Sequence, residues 1–168
     1  MASGKSATAQ ILSQKLNINY IDLDKYIEEK ENLTIQNIFQ NHGEIYFRKL
    51  EILWLHWIID HENNFVLSLG GGTPCFGENY KILQNIDIQS FYLQTSVNEI
   101  IIRLKKSNQK RPLLQDIDPE DWEDFITKHL FERNFYYNFA KFKIKTDQKD
   151  NQTVANEILN LLENENIH

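Results

Sequence analysis

Four short apolar runs, set between tracts with helical spacing, constrain the fold more than any other feature of the chain. Tyr20-Ile21, Phe65-Val66-Leu67-Ser68-Leu69, Ser90 to Leu93 and Phe142 to Lys145 are too brief for helices and read as strands, the second of them as a buried one. Between them, apolar residues recur at helical spacing through Ala7, Ile11, Leu12 and Leu16, through Tyr46, Phe47, Leu50, Trp54, Trp57 and Ile58, over Val97 to Leu104, and over Val154 to Leu162. Pro119-Glu120-Asp121 predicts a further helix start, with acidic residues in the first turn, and that helix is expected to run to about Asn138. Such alternation predicts an α/β fold of three layers, a parallel sheet with helices on both faces. A chain of 168 residues holds one such domain and is too short for two.

Charge and composition remove several function classes. The formal net charge is −6, so the clustered Lys and Arg that nucleic acid or an acidic membrane surface demands are lacking overall. No apolar run approaches the roughly 20 residues that span a bilayer, and the first residues lack the apolar stretch of a signal peptide. The single cysteine, Cys75, excludes an internal disulfide. A cytoplasmic protein with no nucleic-acid or membrane partner is expected.

Gly4-Lys5-Ser6 stands directly before the first helical tract and supplies the last three positions of the phosphate-binding loop G-x-x-x-x-G-K-[ST]. In that loop backbone N–H groups and a helix N-terminus hold phosphates, Lys reaches the terminal ones, and the hydroxyl ligates Mg2+. A plain helix start is the competing reading. Asp22 and Asp24 flank Leu23 at the end of a predicted strand, where ligands of open parallel sheets collect. One carboxylate there could hold water on Mg2+ while the other receives a substrate hydroxyl; alternatively Asp24 caps the next helix. Ser68-Leu69-Gly70-Gly71-Gly72 ends another strand at the same edge, and three successive glycines suit close backbone approach to a ligand better than a plain turn.

The chain uses fourteen lysines but only four arginines, Arg48, Arg103, Arg111 and Arg133. An Arg among lysines suggests a site that needs a planar fork to grip a carboxylate or phosphate, against the alternative of a surface ion pair. With the phosphate-loop remnant they point to two anionic ligands, nucleotide phosphates and an acidic substrate.

A-S-G-K-S at Ala2 to Ser6, D-L-D at Asp22 to Asp24, G-E-x-x-F-R-x-x-E at Gly43 to Glu51, S-L-G-G-G, R-P-L-L at Arg111 to Leu114 and E-R at Glu132-Arg133 occur in one order and spacing. Through these motifs the whole chain closely resembles shikimate kinase. The resemblance implies a nucleoside-monophosphate-kinase-like P-loop fold with a five-stranded parallel sheet in the order 2-3-1-4-5. It implies transfer of the ATP γ-phosphoryl group to the 3-hydroxyl of shikimate, with Mg2+, by a monomer in aromatic amino-acid biosynthesis.

By the same resemblance Ala2, Ser3, Gly4, Lys5, Ser6 and Ala7 form the nucleotide-binding turn, Lys5 contacts the β and γ phosphates, and Ser6 ligates Mg2+ with Asp22 helping through water. Asp24 binds shikimate hydroxyls and acts as base. Arg48 and Arg133 clamp the shikimate carboxylate, Gly71 offers its N–H to a ring hydroxyl, and Arg111 stabilises the transferred group from a lid at about 107–118. The family places an arginine before the lid to stack on adenine, and Arg103 lies close to that place; in the adenine-side loop Asp147 to Asn151, Lys149 is the expected contact.

Family members begin with a strand leading into the first loop glycine, which here would fall two residues upstream of Met1. A chain lacking its first, central strand is therefore expected, with Met1 an internal methionine. Two other readings stay open: an N-terminally truncated inactive fragment or nucleotide-binding module, and a related kinase acting on gluconate or a nucleoside monophosphate.

Overall fold

The computed structural model describes residues 2–106, 114 and 117–165. Among the described residues, six helices and four strands follow one another as α1 (Lys5–Leu16), β1 (Asn19–Asp22), α2 (Leu23–Glu31), α3 (Ile35–His61), β2 (Phe65–Ser68), β3 (Phe91–Gln94), α4 (Val97–Lys106), α5 (Trp122–Tyr137), β4 (Phe142–Lys145) and α6 (Asn151–Glu165). Short 3-10 turns at Thr73–Cys75 and Asn79–Gln84 lie between β2 and β3.

The strands pair as two separate parallel ladders. β1 pairs with β2, with Asp22 opposite Ser68, and β3 pairs with β4, with Gln94 opposite Lys145. Among the described residues the single five-stranded sheet implied by the resemblance is not formed: four strands make two ladders, and no strand joins one ladder to the other. Between them lies a cavity of about 530 Å3, lined by Val66, Leu67, Tyr92 and Leu93 of the two facing strands, by Leu12 of α1 and by Leu55 of α3, and by no residue of β1 or β4. This gap also explains why Phe65, Val66 and Leu67 are half-buried instead of fully buried as their apolar run predicts.

Cores form on each side. Leu23, Ile27, Ile38, Phe47, Leu50, Leu55 and Ile58 pack α2 and α3 together beside β1 and β2, while Leu12, Ile144, Val154 and Ile158 join α1, α6 and β4. A third cluster of Ile100, Leu104, Leu114 and Ile126 holds α4 against α5.

Two elements differ from their sequence expectation. The helical tract after Gly43 begins eight residues earlier, at Ile35, where the Thr34 side chain caps it, and it bends at Gly43, whose φ is 79°. The helix predicted at Pro119 starts at Trp122, because Asp118 to Asp121 form a turn of their own, with the Asp121 N–H bonded to the Asp118 carbonyl.

Candidate active site

Both ladders direct their carboxyl ends toward one edge, and two groups of residues meet there. The first surrounds the start of α1. Gly4 precedes it with φ 86°, and a Cβ at that position would drive into Asn151 Oδ1, so only glycine closes this turn without strain. No side chain caps the helix, which leaves its first N–H groups for a ligand of negative charge. Ser6 Oγ donates to Asp22 Oδ2 at 3.3 Å and lies 3.5 Å from Ser68 Oγ, while Tyr20 OH donates to the same Asp22 oxygen at 3.0 Å. Asp22 accepts from the Lys25 N–H and is the N-cap of α2, a role that the sequence had offered to Asp24.

Arg103 braces this end from α4. Its guanidinium donates to the carbonyls of Thr146 at 2.5 Å, Lys149 at 3.4 Å and Ala2 at 3.5 Å, and its Nε donates to Glu99 at 2.8 Å. The fork thus ties the strand-to-helix turn after β4 to the residues before α1. Lys149 Nζ is ion-paired with Glu157 at 2.7 Å.

The second group is more deeply set. Asp24 lies in the first turn of α2, not at a strand end, and its carboxyl is pushed up from 3.8 to about 6. Burial is the main cause, followed by repulsion from Asp22 and Glu51, with the Lys5 charge pulling the other way. The charge of Lys5, at the start of α1, is therefore felt by Asp24 as well. A carboxylate with that pKa is ionised at neutral pH yet close enough to it to take a proton.

Arg48 is held in a chain of buried bonds. Its Nη1 donates to Glu51 Oε2 at 2.5 Å, and Thr73 Oγ1 donates to the other Glu51 oxygen at 2.5 Å. The Glu51 side chain is 1% exposed and that of Arg48 13%. Burial works against the Arg48 charge, but hydrogen bonding and attraction from Glu51, then Glu44, outweigh it and hold its pKa up. The triple-glycine turn lies against these groups. A Cβ on Gly72 would come within 2.7 Å of Arg48 Nη1, so a side chain there would displace the guanidinium. Arg133, on α5, reaches the same place, since both Arg133 and Arg48 act on the Cys75 thiol, whose pKa burial nevertheless raises.

The structure thus brings together Lys5, Ser6, Asp22, Asp24, Arg48, Gly71 and Arg133 at one edge. Arg111 and most of the predicted lid lie outside the described residues; from that stretch Leu114 is buried against Ile100, Leu104 and Ile126. Ser6 and Asp22 offer a hydroxyl and a carboxylate close together, hard oxygen donors of the kind Mg2+ takes alongside phosphates and water. No cluster of three or more His, Cys, Asp or Glu suited to a metal occurs among the described residues, so such an ion would depend on its other ligands. Thr73 and Tyr137 were not singled out from sequence, and Glu51 entered only as the last residue of the G-E-x-x-F-R-x-x-E motif, with no role assigned. Only Glu51 carries a signal there, an acidic residue on the otherwise apolar face of Phe47, Leu50, Trp54 and Ile58.

The family profile described as shikimate kinase matches residues 1–163. A shikimate kinase of Flavobacterium johnsoniae is 44% identical over 162 residues, covering 96% of this chain and 94% of the relative. The crystal structure of shikimate kinase from Bacteroides thetaiotaomicron superposes with a TM-score of 0.88 at 33% identity, covering 97% of this chain and 94% of that one. Shikimate kinase from Acinetobacter baumannii in complex with shikimate gives 0.86 at 29% identity, covering 100% and 91%.

Proposed function

The chain belongs to the shikimate kinase family, and from that membership we infer that it transfers the γ-phosphoryl group of ATP to the 3-hydroxyl of shikimate, giving shikimate 3-phosphate and ADP. The product feeds the chorismate route to aromatic amino acids. One observation carries the assignment of acceptor to site: a raised, ionisable Asp24 shares the glycine turn with the buried Arg48–Glu51 pair.

In this reading the acceptor is an anion with several hydroxyls. Arg48, aimed by Glu51, and Arg133 grip its carboxylate through planar, charge-assisted hydrogen bonds. The Gly71 N–H meets a ring hydroxyl, and Asp24 accepts the proton of the attacking one. Phosphoryl transfer leaves a protein little covalent chemistry, so positioning and charge stabilisation dominate. Lys5 and the uncapped N-terminus of α1 hold the β and γ phosphates. Ser6 and Asp22 are the residues that would hold Mg2+, which when bound supplies neutralisation of phosphate charge. Ala2, Ser3 and Ala7 complete the phosphate turn, Arg111 completes the cationic surround, and Lys149 and Arg103 border the adenine side.

In this reading the two strand pairs correspond to positions 2-3 and 4-5 of the family sheet order. A coupled assay of ADP release with shikimate, gluconate and a nucleoside monophosphate in parallel tests the assignment. Turnover with shikimate alone is expected; turnover confined to another acceptor, or none with shikimate, overturns it.

A further inference from the structure

The three carbonyls of the glycine turn are held in different ways. Gly70 O accepts from the Thr73 N–H at 3.2 Å and Gly72 O from the Cys75 N–H at 2.9 Å, both within the turn itself. Gly71 O is tied across the molecule, accepting from the Tyr137 hydroxyl at 2.6 Å. Tyr137 ends α5 one turn after Arg133, so both side chains leave the same face of the helix. The Arg133 charge acts on the Tyr137 hydroxyl, and the ring packs against Tyr92 of β3 with centroids 5.0 Å apart.

A phenol placed this way can accept from Arg133 and donate to Gly71 at once, and each bond polarises the other. Deep burial pushes the hydroxyl pKa up to about 12, so the group stays a donor throughout the working pH range. The bonds that link Arg48, Glu51 and Thr73 involve no residue of α5.

We propose that Tyr137 is a positioning residue for the acceptor. It locks the Gly71–Gly72 peptide to Arg133, so that the glycine turn and the carboxylate clamp keep one fixed separation. This rests on the function proposed above and extends it: the distance between an acceptor's carboxylate and its ring hydroxyl is measured by a tyrosine that need not touch the acceptor. Removing the hydroxyl would leave the Gly71 carbonyl without its cross-molecular donor and Arg133 without its neighbour.

Tyr137→Phe keeps the ring and its packing on Tyr92 and removes only the relay. Steady-state kinetics should show the KM for shikimate rising about tenfold, kcat changing less than about threefold and the KM for ATP unchanged. Calorimetry with shikimate and no nucleotide should show the same loss of affinity, flat between about pH 6 and pH 9, where the phenol does not titrate. A double-mutant cycle with Arg133→Lys should give less than additive losses. If Tyr137→Phe lowers the melting temperature but leaves the shikimate KM and affinity at parent values, the residue is merely structural and the proposal is wrong. If both substrates' KM values rise together, the lock does not act on the acceptor, and that too overturns it. Absence of shikimate turnover in the parent protein overturns the functional reading itself, a separate result.

Discussion

The acceptor end and the phosphate end of the site sit a few residues apart but are built differently. At the acceptor end, Glu51 is almost wholly buried and takes short hydrogen bonds from Arg48 and Thr73, while Tyr137 fixes the glycine turn from α5. Around Ser6 and Thr8 at the phosphate end the contacts are longer, Ser6 to Asp22 at 3.3 Å, Ser6 to Ser68 at 3.5 Å and Thr8 to Asn151 at 3.5 Å, and the short bonds there are those by which Arg103 braces backbone from outside. The difference teaches that the proposed acceptor site is fixed by bonds among its own side chains, whereas the Ser6 hydroxyl of the proposed phosphate site is held only by long contacts. Buried charges demand fixed partners, and exposed ones do not.

Substitutions at Asp24 probe that contrast most strongly. Asp24→Asn removes the base, and kcat should fall by about 10²–10⁴ in a coupled assay, while the KM for ATP stays near its parent value. The same change reports on burial. Because the folded pKa is raised from 3.8 to about 6, the protonated carboxyl's contribution to stability is complete below pH 3.8 and is lost as pH rises through 6. The buried charge then costs roughly 3 kcal/mol at pH 8, so Asp24→Asn should raise the melting temperature at pH 8 and not at pH 4. In the parent enzyme, kcat should fall about tenfold per pH unit below 6.

Glu51→Ala should come next in size. It leaves Arg48 with Glu44 as its remaining carboxylate partner and the buried Thr73 hydroxyl without its acceptor, with an expected loss of about 1–3 kcal/mol in denaturant unfolding and a raised KM for shikimate. Gly72→Ala is smaller: its methyl displaces the Arg48 guanidinium, and the KM for shikimate should rise about tenfold with kcat little changed. Ser6→Ala touches the looser end. It should shift the melting temperature hardly at all, consistent with an exposed contact of about 1 kcal/mol or less, while the KM for the Mg2+–ATP complex rises. A large loss of stability from Ser6→Ala, or none from Glu51→Ala, would break the comparison.

How far the sequence revealed these two ends follows the same physics. Strand–helix alternation was legible, and all four strands lie where the apolar runs place them, because short β runs bounded by turn residues carry a strong local signal. The start of α2 was offered at Asp24 and lies at Asp22: Leu23 and Ile27 bury the helix's apolar face, but the D-L-D sequence reads equally well as the end of a strand. Arg48 and Arg133 stood out by scarcity. Tyr137 could not, since one tyrosine in Phe135-Tyr136-Tyr137 looks like its neighbours until the fold brings it to Gly71, 66 residues away in sequence. Arg103 was legible as a special residue, but that its fork grips backbone carbonyls of two distant segments depends on packing no local pattern records.

The claim that folding alone builds the acceptor end is tested most directly by calorimetric titration of shikimate into nucleotide-free protein, repeated with ADP and Mg2+ present. The account predicts saturable binding in both, with dissociation constants differing by less than the roughly fivefold that marks a coupled pair of sites. Binding that is detectable only when nucleotide is present would contradict it, because the acceptor end would then be a product of the phosphate end and not of the fold.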